Sequence, residues 1–203
     1  DARTPPPPGR LMAVYTDVSD DALRVFLAAY DLGEVRSFKG IAEGVENSNF
    51  FLRTETGPYI LTLYEKRVQE TDLPFFLGLM EHLADSGITC PLPVKARDGT
   101  TLGRLAGRPA VIVTFLEGVA VRRPRPDHCR AVGTALARMH AAGRDFALAR
   151  PNALALPGWA PLFARAEAEA DQVAPGLAAR TRAELDHLAA AWPTGLPVGV
   201  IHA

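Results

Sequence analysis

The spacing of apolar positions changes several times along the chain. In residues 19–30, Leu23, Phe26, Leu27 and Tyr30 recur at i, i+3, i+4 and i+7, which places them on one face of a helix. Ser19 can cap that helix, and Asp20 and Asp21 suit the positive end of its dipole. Gly33 fits its exit. The next thirty or so positions read as strands, over 35–41, 49–54 and 59–64. Glu55-Thr56-Gly57-Pro58 is a turn by composition, and the polar stretch between the first two strands contains Gly44. Three consecutive antiparallel strands are therefore predicted. A second helix follows at 71–86, capped by Thr71, with Pro74 in its first turn and Phe76, Leu79, Met80 and Leu83 as its buried stripe. Gly87 ends it. Two further strands come next. Asp98-Gly99 signals a tight turn, and 109–115 is a nearly continuous apolar run of the kind found in buried strands.

The character changes after Gly118. From Asp127 the chain is alanine-rich and helical, with Val132, Leu136 and Met139 on one face and Gly143 at the end. Two more helices are predicted over 159–172 and 177–192, the last with Leu177, Thr181, Leu185 and Leu188 at helical spacing. Residues 193–197 break it, and an apolar segment begins at 198. A run of strands followed by a run of helices predicts an α+β fold, with a lobe over 12–118 and a helical lobe over 119–203. Residues 1–11 include four consecutive prolines and little to bury, so they are expected to form an extended tail outside the fold, with Met12 as the natural start.

Composition narrows the function classes. The chain has 203 residues, 48% of them hydrophobic and 22% charged, which fits a globular protein with a real core. The net charge of −1 excludes a strongly basic nucleic-acid binder. Arg122-Arg123-Pro124-Arg125 is short and proline-broken, and reads as a solvated loop. No stretch approaches the length of a membrane helix, and no secretory leader is visible. Two cysteines, Cys90 and Cys129, make neither a disulfide framework nor a zinc site, so a reducing, cytoplasmic setting is expected.

Five places carry candidate chemistry. The loop Lys39-Gly40-Ile41-Ala42-Glu43-Gly44-Val45-Glu46-Asn47-Ser48-Asn49 has glycines that let backbone amides approach an anion, although it is neither of the common phosphate-loop motifs, and an ordinary hairpin is its plain alternative. In residues 59–66, period-two geometry puts Ile60, Thr62, Tyr64 and Lys66 on one face, where a cation could reach a nucleotide's phosphates. Val111 to Gly118 is a buried strand running into a linker, whose backbone can meet a flat heterocycle. His140 ends a helical run, and His202 lies in the apolar segment. There is no serine elbow, no H-E-x-x-H and no Cys–His cluster. Glu65, Glu70, Asp72 and Glu81 are scattered acids without an assigned role.

Taken together, the glycine loop, the strand 59–64, Gly87-Ile88-Thr89-Cys90-Pro91, the linker Phe115-Leu116-Glu117-Gly118, Leu136-Ala137-Arg138-Met139-His140 and Val200-Ile201-His202-Ala203 resemble the aminoglycoside phosphotransferase/choline kinase superfamily. Within it, residues 38–49, 59–67 and 73–83 are similar to bacterial homoserine kinases. The resemblance spans residues 12–203. It implies a protein-kinase-like, two-lobed fold and ATP- and Mg²⁺-dependent phosphorylation of the homoserine hydroxyl. A kinase for another small hydroxyl or amine substrate, such as choline or an aminoglycoside, and a non-catalytic nucleotide-binding module are the rival readings.

By carry-over, Gly40, Gly44, Asn47, Ser48 and Asn49 cover the phosphates, with Thr62 and Lys66 on the strand below. Thr114, Phe115 and Leu116 frame adenine, and His202 opens the catalytic loop. Three departures follow. Thr62 stands where the superfamily usually has Lys or Arg. Lys66 shares that face about 13 Å further on, at roughly 3.3 Å per residue, and Lys39 is the other candidate cation. The acid paired with such a cation is open among Glu70, Asp72 and Glu81. The catalytic Asp would stand two positions after His202, so the 203-residue chain alone is expected to be inactive.

Overall fold

A computed structural model of the chain describes residues 15–42, 46–65 and 68–201. Gly44, Lys66, His202 and the proline-rich tail lie outside the described residues. Contacts gather into two units: one runs to Leu148 and includes Val200 and Ile201, and the other is Ala149–Gly199.

The first unit is built on a five-stranded antiparallel sheet: β1 (Val35–Gly40), β2 (Asn47–Thr54), β3 (Gly57–Tyr64), β4 (Gly103–Leu105) and β5 (Arg108–Thr114), in spatial order β1-β2-β3-β5-β4. The three consecutive strands pair as their turns require, β1 with β2 and β2 with β3. Strand side chains alternate between faces. Phe50 and Leu52 of β2, Leu61 and Leu63 of β3 and Ala110 and Ile112 of β5 are buried on one face with Leu23, Phe26 and Leu27 from α1 (Asp20–Leu27) and with Tyr30 beyond it. Ser19 caps α1 as expected, its Oγ accepting from the Ala22 N–H at 3.2 Å. The helix stops at Leu27 and Tyr30 lies in the turn after it, still buried.

The strand preceding β5 differs from expectation. Asp98-Gly99 does form a turn, closed by Ala96 N–H to the Thr100 carbonyl at 2.8 Å, but β4 lies after it. The hairpin joining β4 to β5 turns instead at Ala106-Gly107, where both residues have positive φ, 50° and 75°. Such a pair matches the right-handed twist of a two-residue hairpin. Before the Asp98 turn the chain makes only an isolated bridge, Pro93 to Val113.

Helix α2 (Leu73–Asp85) follows a 3-10 turn, Glu70–Asp72, so Thr71 sits in that turn and does not cap the helix. Its buried residues are Leu73, Leu77 and Leu83. Another side of α2 meets the segment after α3 (Pro126–Ala142): Phe75 and His82 contact the Phe146 ring at 5.4 and 5.3 Å, and the His82 ring bonds the Ala142 carbonyl at 2.8 Å. On α3 itself Leu136 and Met139 are half-buried and Val132 is exposed.

The second unit holds α4 (Leu156–Ala164), α5 (Glu167–Val173) and α6 (Leu177–Ala191). The single helix expected over 159–172 is two. Pro161 lies inside α4, and the break between α4 and α5 carries a bond from Ala166 N–H to the Phe163 carbonyl, three residues back. Trp159 and Trp192 meet edge to face at 5.3 Å, and Arg182 pairs with Glu167.

Candidate nucleotide site

The sheet face opposite α1 carries the polar residues singled out in the sequence. In register, Asn47 stands opposite Tyr64, Asn49 opposite Thr62, and Phe51 opposite Ile60, while Val111 and Val113 continue those last two rows on β5. Thr62 Oγ1 donates to Asn49 Oδ1 at 2.8 Å, so these two expected phosphate neighbours form a neutral pair. Gly40 ends β1 opposite Phe50, and the Ile41 N–H donates to the Asn49 carbonyl at 2.8 Å. Asn47 Oδ1 accepts from the Glu65 N–H at 3.4 Å. The mouth of the glycine loop is thus tied at both sides to the start of β2.

The linker end of the same face is apolar. Phe51 and Phe115 rings meet edge to face at 5.4 Å. The Phe115 N–H donates to the Pro58 carbonyl at 3.4 Å, which holds the linker against β3. Phe115 and Leu116 are 38% and 43% exposed. Exposed aromatic and aliphatic surface beside a linker with free amides suits a flat, partly polar ring. Among the described residues, no group accepts a hydrogen bond from the Leu116 N–H.

Two expected contacts point elsewhere. Ser48 is fully buried, on the side of Phe50 and Leu52. Its Oγ accepts from the Tyr15 and Thr16 N–H groups at 2.8 and 3.1 Å and donates to Glu65 Oε1 at 2.7 Å. It anchors the segment before α1 and has no capacity left for a phosphate. Thr114 stands opposite Tyr59, a residue packed against the α1 core, and its Oγ1 accepts from the Leu92 N–H at 2.9 Å. Its own N–H donates to the Leu92 carbonyl, also at 2.9 Å.

The acids settle into partnerships. Glu81 pairs with Lys95 at 3.1 Å and Glu70 with Arg104 at 2.6 Å. Glu65, read from the sequence as one scattered acid among several, is the hub of a buried network: its carboxylate, 9% exposed, accepts from Thr16 Oγ1 at 2.6 Å and from Ser48, and forms an ion pair with Arg108 at 3.2 Å. Phe51 was also missed; the signal was the alternation in β2, which puts it on the Asn49 side. His140 Nε2 is buried without a hydrogen-bond partner among the described residues.

A groove of about 1080 Å³ lies on another part of the unit, between α1 and the outer strand β1. Its cations are already neutralised: Arg24 pairs with Asp21, Arg36 with Glu34 and Glu55, and Arg97 with Asp31. Arg97 also donates to the Ala28 and Tyr30 carbonyls. That groove offers a polyphosphate no spare charge, whereas the Asn49–Phe51 face adjoins both a glycine loop and a linker.

Known proteins sharpen the picture. Residues 37–203 match the phosphotransferase enzyme family named APH. The chain belongs to that family. Among solved structures, an aminoglycoside phosphotransferase from Alicyclobacillus acidocaldarius superposes with a TM-score of 0.51 at 17% identity, over 81% of this chain and 50% of that one, which shows a kinase-like fold. The chain is 70% identical over 192 residues to a homoserine kinase of Methylorubrum populi and 68% identical to one of Methylobacterium nodulans. In each case 95% of this chain is covered and 60% of the relative, so the chain spans about three fifths of the length of these phosphotransferase relatives.

Proposed function

We propose that the chain is the nucleotide-binding part of an ATP-dependent homoserine kinase. The observation that carries this reading is the 70% identity to a homoserine kinase across 95% of the chain. The geometry supports it: a polar row at Asn49 and Thr62 and an apolar end at Phe51 and Phe115 lie in sequence along one sheet face. The reading takes residues 12–118 as the nucleotide lobe and 119–203 as part of the helical lobe.

On this reading adenine lies at the Phe51–Phe115 end, with the Leu116 amide as a donor to its edge. The phosphates run along the Asn49–Thr62 row toward the loop that begins after Gly40. Backbone amides there favour an anion. The chemistry is in-line phosphoryl transfer from ATP to the homoserine hydroxyl, in which positioning and charge stabilisation do most of the catalysis. Mg²⁺ would enter with the nucleotide. Among the described residues no group of three His, Cys, Asp or Glu side chains is placed to hold a metal ion. His202 as the opening of the catalytic loop and Lys66 as a phosphate neighbour remain part of the proposal. The free thiols Cys90 and Cys129 suit a reducing, cytoplasmic setting.

The test is a substrate panel with γ-labelled ATP, using the gene product at the length of its relatives. Label transferred to homoserine, well above choline and an aminoglycoside, is the expected result. Preference for another acceptor would replace the substrate assignment. Nucleotide binding without transfer to any acceptor would favour the non-catalytic module.

A further inference from the structure

We propose that Lys39 supplies the positive charge that holds the nucleotide's phosphates, in place of a cation at position 62. This rests on the nucleotide reading above. The strand register places the residue. Lys39 pairs with Phe51, so its side chain leaves the sheet on the side of Phe51, Asn49 and Thr62. Phe38 before it turns to the core and stacks on Phe50 at 4.7 Å. The next row along is fixed by the bond from Ile41 N–H to the Asn49 carbonyl. One two-residue step is roughly 6–7 Å, and the flexible four-carbon stem of a lysine can cover it.

That row needs a countercharge and has none of its own. Thr62 and Asn49 are neutral, and the Thr62 hydroxyl is bonded to Asn49 Oδ1. Most other described cations between Tyr15 and Gly118 are engaged: Arg24, Arg36, Lys95, Arg97, Arg104 and Arg108 each pair with a carboxylate. Lys39 and Arg53 are the two described cations of this stretch without an ion pair, and both are exposed. Arg53 stands opposite Pro58, at the linker end, one row further from Asn49 than Lys39. Lys39 is therefore the free cation nearer the phosphate row. As a flexible point charge it can track a polyphosphate along that row.

The experiment is calorimetric titration of the full chain with adenosine, ADP and Mg·ATP, for the wild type, Lys39→Met, Lys39→Arg and Arg53→Met, with circular dichroism confirming that each variant is folded. A lost charge-assisted contact corresponds to about a 10- to 100-fold weakening. Lys39→Met is expected to lose that much for ADP and Mg·ATP while keeping adenosine affinity within about twofold. Lys39→Arg should recover most of the nucleotide affinity, and Arg53→Met should resemble the wild type. Unchanged ATP binding in Lys39→Met, or equal losses for adenosine and ATP, would overturn the role of Lys39 and leave the nucleotide site standing. A wild-type chain that binds neither nucleotide would overturn both.

Discussion

At the residue scale, Ser48 shows how a side chain in a functional-looking loop can serve the fold. Its hydroxyl satisfies two backbone N–H groups from the segment before α1 and donates to Glu65. Leaving buried donors unpaired costs about 1–3 kcal/mol. Ser48→Ala is therefore expected to lower unfolding stability by about that amount in urea titration, and Ser48→Thr should lose less. An unchanged midpoint in Ser48→Ala would refute the anchoring role. The same reasoning covers Glu65, whose carboxylate takes hydrogen bonds from Thr16 and Ser48 and pairs with Arg108. None of this was legible in the sequence, because Ser48 and Asn49 differ only in strand parity and parity needs the register. The hydroxyl in Asn47-Ser48-Asn49 looked like a phosphate ligand, and the alternation of β2 turned it inward. Thr62 is the converse case: the sequence flagged its missing charge, and the structure supplies its neutral partner, Asn49.

At the scale of elements, periodicity located all three leading strands and α1, α2, α3 and α6 to within a few residues, because each has an apolar face less exposed than the rest. It failed where backbone geometry decides. The β4–β5 turn uses Ala106 at φ 50°, which the sequence Ala106-Gly107 does not announce as Asn-Gly would. A left-handed non-glycine residue costs roughly 1–2 kcal/mol, offset in a glycine replacement by its extra unfolded-state freedom. Ala106→Gly should accordingly raise stability, by about 0.5–1 kcal/mol in denaturant melts; a destabilised variant would contradict the assigned turn. Gly103 on β4 marks the close approach of α1: a Cβ there would lie 2.8 Å from Phe26 Cε2 and 3.4 Å from Tyr30 Oη. Since both rings are buried in the core, Gly103→Ala is expected to cost about 1–3 kcal/mol, read by the same melts. Equal stability would mean that α1 can lift from the sheet freely.

At the scale of the whole molecule, the pH response follows from two phenols, Tyr30 buried in the core and Tyr64 half-buried. Tyr30 has its pKa raised by burial first and by the Asp98 charge second, and Tyr64 has its pKa raised by burial. Both groups favour the neutral form in the folded chain. Their contribution to stability is complete below the unfolded tyrosine value of about 10 and is lost as pH rises through the folded values. Thermal melts should therefore fall steeply on the alkaline side, together with delayed tyrosinate absorbance; phenols ionising at their ordinary value with no loss of stability would contradict it. The family was legible from long runs such as residues 38–49 because they combine turn chemistry, alternation and polar placement in one order. The orientation of the linker was not, since it depends on Phe51 meeting Phe115 across strands. Titrating ADP into isotopically labelled protein and following its backbone amides probes the nucleotide face most directly. Shifts centred on Asn49, Phe51, Thr62 and Leu116, with α1 unmoved, are expected. Shifts gathered instead along the α1–β1 groove, around Arg24, Ser37 and Arg97, would show that the nucleotide binds elsewhere.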